Sequence, residues 1–217
     1  MSDTFLVKDE NDALWTRIRA ALMAVRPGGR QEREPPYGTA AIARALGMRA
    51  PLAGRIEEAL ARAWGHCAER KVTLSLLVVG IDRFKDLHLV YDKDGIDHEL
   101  RRVEKALRKA MAGTSGECLR HGRGEFVVML PDCPVLLARN LAAKLLRNVQ
   151  GLGIPHKESH AGVLTAAAGL AAVNPAGNLD YRVFEAAADA LARAQRRGLG
   201  RIEMVDLRAR QPQRKAG

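Results

Sequence analysis

The chain has 217 residues, enough for one domain of ordinary size with an extension. Hydrophobic residues make up 47%, which permits a real core and excludes wholesale disorder, while only 4% are aromatic, so Leu, Ala and Val must do most of the packing. Lys and Arg number 35 against 25 Asp and Glu, a net charge of +10 that favours an anionic partner, and no apolar run approaches the roughly 18 residues of a membrane-spanning helix. Met1-Ser2-Asp3-Thr4 opens without a basic stretch followed by an apolar one, so no secretory signal is expected. The odd set Cys67, Cys118 and Cys133 forms no CxxC pair and suits reduced thiols in a cytoplasmic setting.

In chain order, Leu14, Ile18, Ala21, Leu22 and Val25 recur at helical spacing, and Pro27-Gly28-Gly29 ends that helix. Residues 30–38 are charged and carry Pro35-Pro36, which reads as a linker. A second helical stretch runs from Thr39 to Leu46, and Ile56, Leu60, Ala63, Trp64 and Cys67 line one face of a longer helix. From Val72 the pattern turns to strand, and the apolar run Leu76 to Val79 fits a strand buried on both faces. A short helical piece near Phe84–Tyr91 and a strong amphipathic helix from Asp97 to Met111 follow. Glu117–His121 and Glu125–Leu130 read as a hairpin, Val135–Val149 as a helix, and Val163–Ala172 as an alanine-rich strand. Val183–Arg196 reads as a helix ended by Gly198, and Arg201–Val205 as a last strand. The order β-α-α-β-β-α-β-α-β mixes hairpin with crossover connections.

Four blocks stand out. They are Gly80-Ile81-Asp82-Arg83-Phe84-Lys85, the turn Gly122-Arg123-Gly124-Glu125-Phe126, Leu164-Thr165-Ala166-Ala167-Ala168-Gly169-Leu170-Ala171, and Ala187-Ala188-Asp189-Ala190-Leu191-Ala192-Arg193-Ala194-Gln195-Arg196-Arg197-Gly198. In this order and at these intervals they resemble the GGDEF (diguanylate cyclase) family, over roughly residues 52–206. The resemblance implies an α/β (α+β) fold: a palm-like, mixed central sheet of about five strands flanked by helices. Residues 1–51 would be an N-terminal helical extension with a linker, and residues 207–217 a basic tail.

The family joins two GTP molecules with the help of two divalent cations held by carboxylates. By resemblance, those carboxylates belong at the end of the first strand and at the third position of the hairpin motif. Here the positions hold Gly80 and Gly124, which offer no side-chain ligand. The guanine-recognising asparagine falls on His88, while the second guanine contact is retained as Asp97. The phosphate-binding lysine falls on Gln195, its arginine partner on Leu199, and the RxxD inhibition motif on Gly113 and Gly116. The resemblance thus implies no catalytic residue and no cofactor.

Surviving polar residues each admit two readings. Asp82 and Glu125 could form a residual single-metal site; otherwise Asp82 caps the short helix beginning at Arg83, and Glu125 pairs with an arginine. Arg123 could bind a phosphate in place of a lost cation, or be a solvated turn residue. His156 and His160 are expected to face water, and Cys133 to be structural. Ala41 to Met48, followed by Ile56, has some helix-turn-helix spacing, although Pro51 interrupts the would-be recognition helix. The sequence therefore points to a catalytically inactive, cytoplasmic signalling domain that acts through a protein partner or as a homodimer, without a membrane. The alternatives are a guanine-nucleotide or cyclic-dinucleotide sensor using His88, Asp97 and Arg123, a DNA-binding regulator using residues 39–56, and an enzyme with altered chemistry at Asp82 and Glu125.

Overall fold

The computed structural model describes residues 54–122 and 124–208. The helices expected at 14–25 and 39–46, most of the proposed DNA-binding stretch, Arg123 and nearly all of the basic tail lie outside them. Helix α1, Gly54–Arg70, buries Ile56, Ala59, Leu60, Trp64 and Cys67. It stops at Lys71, whose φ of 55° leaves the helical region.

Strand β1, Leu74–Ile81, is buried at every position because it is paired on both edges and covered on both faces. Its alternation divides the core. Leu77, Val79 and Ile81 face one layer, and Leu74, Leu76 and Val78 face the other. A 3₁₀ turn, Phe84–Leu89, leads into helix α2, Lys93–Ala110. That helix starts earlier than its apolar pattern predicts, because the Asp92 carboxylate accepts the Gly95 N–H at 2.8 Å and caps a polar first turn.

Strands β2, Glu117–His121, and β3, Glu125–Pro131, form the hairpin, with Gly122 at φ 68° in its turn. Helix α3, Val135–Gln150, strand β4, Ala166–Val173, helix α4, Arg182–Arg197, and strand β5, Ile202–Asp206, complete the described fold. Strand β4 begins later than expected. Val163 instead bridges Pro155, and the Leu164 N–H donates to the Ile154 carbonyl, so this stretch pairs with its own preceding loop.

The sheet order is β2-β3-β1-β4-β5, antiparallel except for the β4–β5 pair. Helices α2 and α3 with the 3₁₀ turn cover one face, and α1 and α4 cover the other. This is the mixed five-stranded α+β architecture expected. The closest helix–sheet approach is at Gly169, where a Cβ would fall inside contact distance of the Ala187 carbonyl oxygen and the Leu191 nitrogen. Only a residue without a side chain lets α4 settle there.

Candidate functional site

Antiparallel pairing brings the signature positions together. Gly80 lies opposite Glu125 on β3 and Ala167 on β4, and the Ile81 N–H donates to the Gly124 carbonyl at 2.8 Å. The hairpin turn and the end of β1 therefore form one corner of the sheet, as the resemblance implied.

Neighbouring side chains occupy the space at both glycines. A Cβ on Gly124 would lie 2.6 Å from Phe84 Cγ and 2.7 Å from its Cδ2. A Cβ on Gly80 would lie 2.9 Å from both Gln195 Nε2 and Leu191 Cδ2. Real Cβ atoms do not sit that near other heavy atoms, so these side chains lie where carboxylates would project. Gly122 differs: it faces open space, and its positive φ is what calls for glycine. Phe126 is fully buried and belongs to the core.

Asp82 does not cap the 3₁₀ turn. Arg83 occupies the cap position at φ 52°, with no side-chain capping bond. The Asp82 carboxylate is 3% exposed, and its Oδ2 accepts both the Thr165 hydroxyl at 2.8 Å and the Gly200 N–H at 2.9 Å. It thereby ties the end of β1 to the start of β4 and to the turn after α4. Burial pushes its pKa up, against the lowering pull of these two hydrogen bonds and of nearby His156. Glu125 is half-buried and, among the described residues, has no ion-pair partner, contrary to the expected arginine. No group of three His, Cys, Asp or Glu that could hold a metal occurs among the described residues. With no side-chain oxygen at 80 or 124, and with Asp82 engaged twice at Oδ2, the corner does not fit a pair of divalent cations.

His88 and Asp97 do converge. With Lys93, Ile96, Leu100 and Arg120 they line a cavity of about 40 Å³. That is close to the volume of a single water, far below a purine. Within it Arg120 Nη2 donates to Asp97 Oδ1 at 3.0 Å, so the two side chains are engaged with each other. His88 is exposed and stands edge-on to Phe84 at 5.9 Å.

The loop between α3 and β4 closes the far side. Arg83 pairs with Asp86 and donates to the Glu158 carbonyl, and the Tyr91 hydroxyl donates to the Pro155 carbonyl at 3.0 Å. His156 is wholly buried, whereas His160 is exposed, so the expectation that both face water holds only for the second. The cause is the loop itself, which turns inward as the His156 N–H donates to the Gly162 carbonyl. The fillers Phe84, Leu191, Gln195 and Arg120 could not be read as such in the sequence, because each acts on a residue at least 23 positions away.

Comparison with known proteins agrees with this architecture. A family model described as "Diguanylate cyclase, GGDEF domain" matches residues 54–201. Diguanylate cyclase DosC of Escherichia coli (strain K12) is 26% identical over 140 residues, 64% of this chain and 30% of DosC. The chain thus spans about a third of that curated relative's length. The GGDEF domain of DgcB from Caulobacter crescentus, solved with c-di-GMP, superposes with a TM-score of 0.62 at 22% identity, covering 70% of this chain and 88% of that one. Diguanylate cyclase SiaD of Pseudomonas aeruginosa, solved with its activator SiaC, gives a TM-score of 0.64 at 20% identity, covering 92% of this chain and 70% of that one. With two thirds of its length matched by the family model and the sheet corner assembled from all four signature blocks, the chain belongs to the GGDEF domain family.

Proposed function

We propose that this domain is a catalytically inactive member of the family, retained as a regulatory module that acts through protein contacts. The observation carrying this reading is the filling of both ligand positions, Gly124 by Phe84 and Gly80 by Leu191 and Gln195. Phosphoryl transfer of this kind depends on positioned positive charge around the phosphates, and removing such electrostatic preorganisation costs orders of magnitude in rate. Substitution by glycine alone would leave a gap that water could enter. Here Phe84 and Leu191 pack against those positions and the exposed end of Gln195 lies over Gly80, which supports the reading. The domain retains what a contact module needs: a buried five-stranded core and rigid outer helices.

The test is incubation of the purified chain with GTP and Mg²⁺ or Mn²⁺, followed by chromatography. The expected result is no cyclic di-GMP above the level of a heat-denatured control. Steady formation of cyclic di-GMP would overturn the reading.

A second reading, nucleotide sensing without turnover, draws on the convergence of His88 and Asp97 on one cavity. It requires Arg120 to swing away from Asp97. Their pair is partly exposed, at 28% and 43%, so solvent screening makes it weak. Calorimetry with GTP, GMP and cyclic di-GMP distinguishes the readings. Binding that strengthens in Arg120→Ala would place a guanine-sized ligand in this cavity, and no heat in either protein would dispose of the sensor.

A further inference from the structure

The outer face of the α2–α3 layer has a composition that the proposed regulatory role does not use. Helix α3 carries no Asp or Glu at all. Its first turn displays Leu136 and Leu137 at 71% and 60% exposure, two of the four large hydrophobic side chains most exposed among the described residues. Leu137 and Lys144 are seven residues apart, and Leu136 and Arg147 eleven, so the leucines and these cations share one outward stripe. On the neighbouring helix α2, Arg101, Lys105 and Lys109 repeat every four residues on the side opposite the buried Leu100, Val103 and Leu107. Together with Arg139 these make six exposed cations, and among the described residues none has an acidic partner. The acids of this layer are committed elsewhere: Glu99 to Arg102, Glu104 to Arg108, and Asp97 to Arg120. Asp94, in the first turn of α2 and seven residues before Arg101, is an exposed acid on this side of the helix.

We infer that this face docks on an anionic phospholipid surface, with the cations among the headgroups and Leu136 and Leu137 entering the boundary of the acyl region. Two features together select this occupant. Six unpaired cations on adjacent helices give a broad positive face that draws the domain to negative headgroups. A pair of protruding aliphatic side chains beside them gains nothing from a nucleic acid, where exposed cations contact phosphates and aromatics stack on bases. Apolar insertion flanked by Lys and Arg is how a helix lies in a membrane interface without crossing it. No described helix is long and apolar enough to span a bilayer, so any attachment through this face is peripheral. The face lies on the opposite side of the sheet from α1 and α4.

Sedimentation of the full chain with vesicles tests this. Vesicles of phosphatidylcholine alone and vesicles containing a third phosphatidylglycerol are compared at low and high salt. Binding is expected to the anionic vesicles only and to weaken steeply with salt. Lys144→Gln with Arg147→Gln, and separately Leu136→Ser with Leu137→Ser, should each lower the partition coefficient at least about tenfold. Arg193→Gln with Arg196→Gln removes the same charge from helix α4 and should change it less than about threefold. Circular dichroism melts confirm that each variant is folded, as surface substitutions of this kind should be. Binding to neutral vesicles, no binding at low salt, or equal losses in the face and control variants would overturn the assignment. So would an acidic peptide or duplex DNA that saturates the same face while vesicles do not bind.

Discussion

Asp82 is a buried carboxylate with a structural role. Its carboxylate joins three segments, and truncation to alanine strands the Gly200 N–H and the Thr165 hydroxyl inside the fold. Asp82→Ala should cost roughly 2 kcal/mol in urea unfolding, while Asp82→Asn, which can still accept both bonds, should cost less. The pH dependence follows from the raised pKa. Between about pH 4 and the raised value, the folded chain binds more protons than the unfolded one, so Asp82 makes stability fall as pH rises across that window. In Asp82→Asn that decline should be absent; an identical slope in the two proteins would refute the assignment. The cysteines behave differently from one another. Burial pushes the Cys118 thiol up to about 12, and also raises Cys67 and, to a lesser depth of burial, Cys133. Maleimide at neutral pH should therefore label Cys133 first, with Cys67 and Cys118 reacting only on unfolding.

Among elements, the hairpin and the 3₁₀ turn are locked together by a contact across 40 residues. Gly124→Asp drives a side chain into the Phe84 ring and should destabilise by about 1–3 kcal/mol. In Phe84→Ala the same substitution should be far better tolerated, and chemical denaturation of the two singles and the double gives the coupling directly. Additive effects would mean that Phe84 does not fill the site. These contacts also mark what could be read in advance. Strands β1 and β3 were legible because both faces are buried and their apolar runs are uninterrupted. The two glycines were legible as positions without a side-chain ligand, since glycine has none to offer. What packs against them was not, because Phe84, Leu191 and Gln195 reach the corner only through the sheet register and the seating of α4. His156 was misread for a similar reason: beside Lys157 and Glu158 it has the local company of a surface residue, and only the inward turn of its loop buries it. Arg120 was likewise hidden, since its bond to Asp97 spans 23 residues and two elements.

At the scale of the molecule, the sheet sets a gradient of rigidity. The central strands β1 and β4 are buried along their whole length, while β5 at one edge is only half-buried. Native-state hydrogen exchange should show the slowest amides in β1, β3 and β4, opening only with global unfolding, and faster exchange in the outer strands β2 and β5. Uniform protection across all five strands would contradict this. The two helical layers then have separate tasks. Leu191 and Gln195 of α4 lie over Gly80, while the layer of α2 and α3 presents charge outward.

The seating of α4 over Gly80 also constrains the chain's future. An acidic side chain at that position would meet the ends of Leu191 and Gln195, and one at position 124 would meet the Phe84 ring. Acidity at either position therefore asks a neighbouring side chain to yield, at little cost for the exposed end of Gln195 and at greater cost for the buried Phe84 ring.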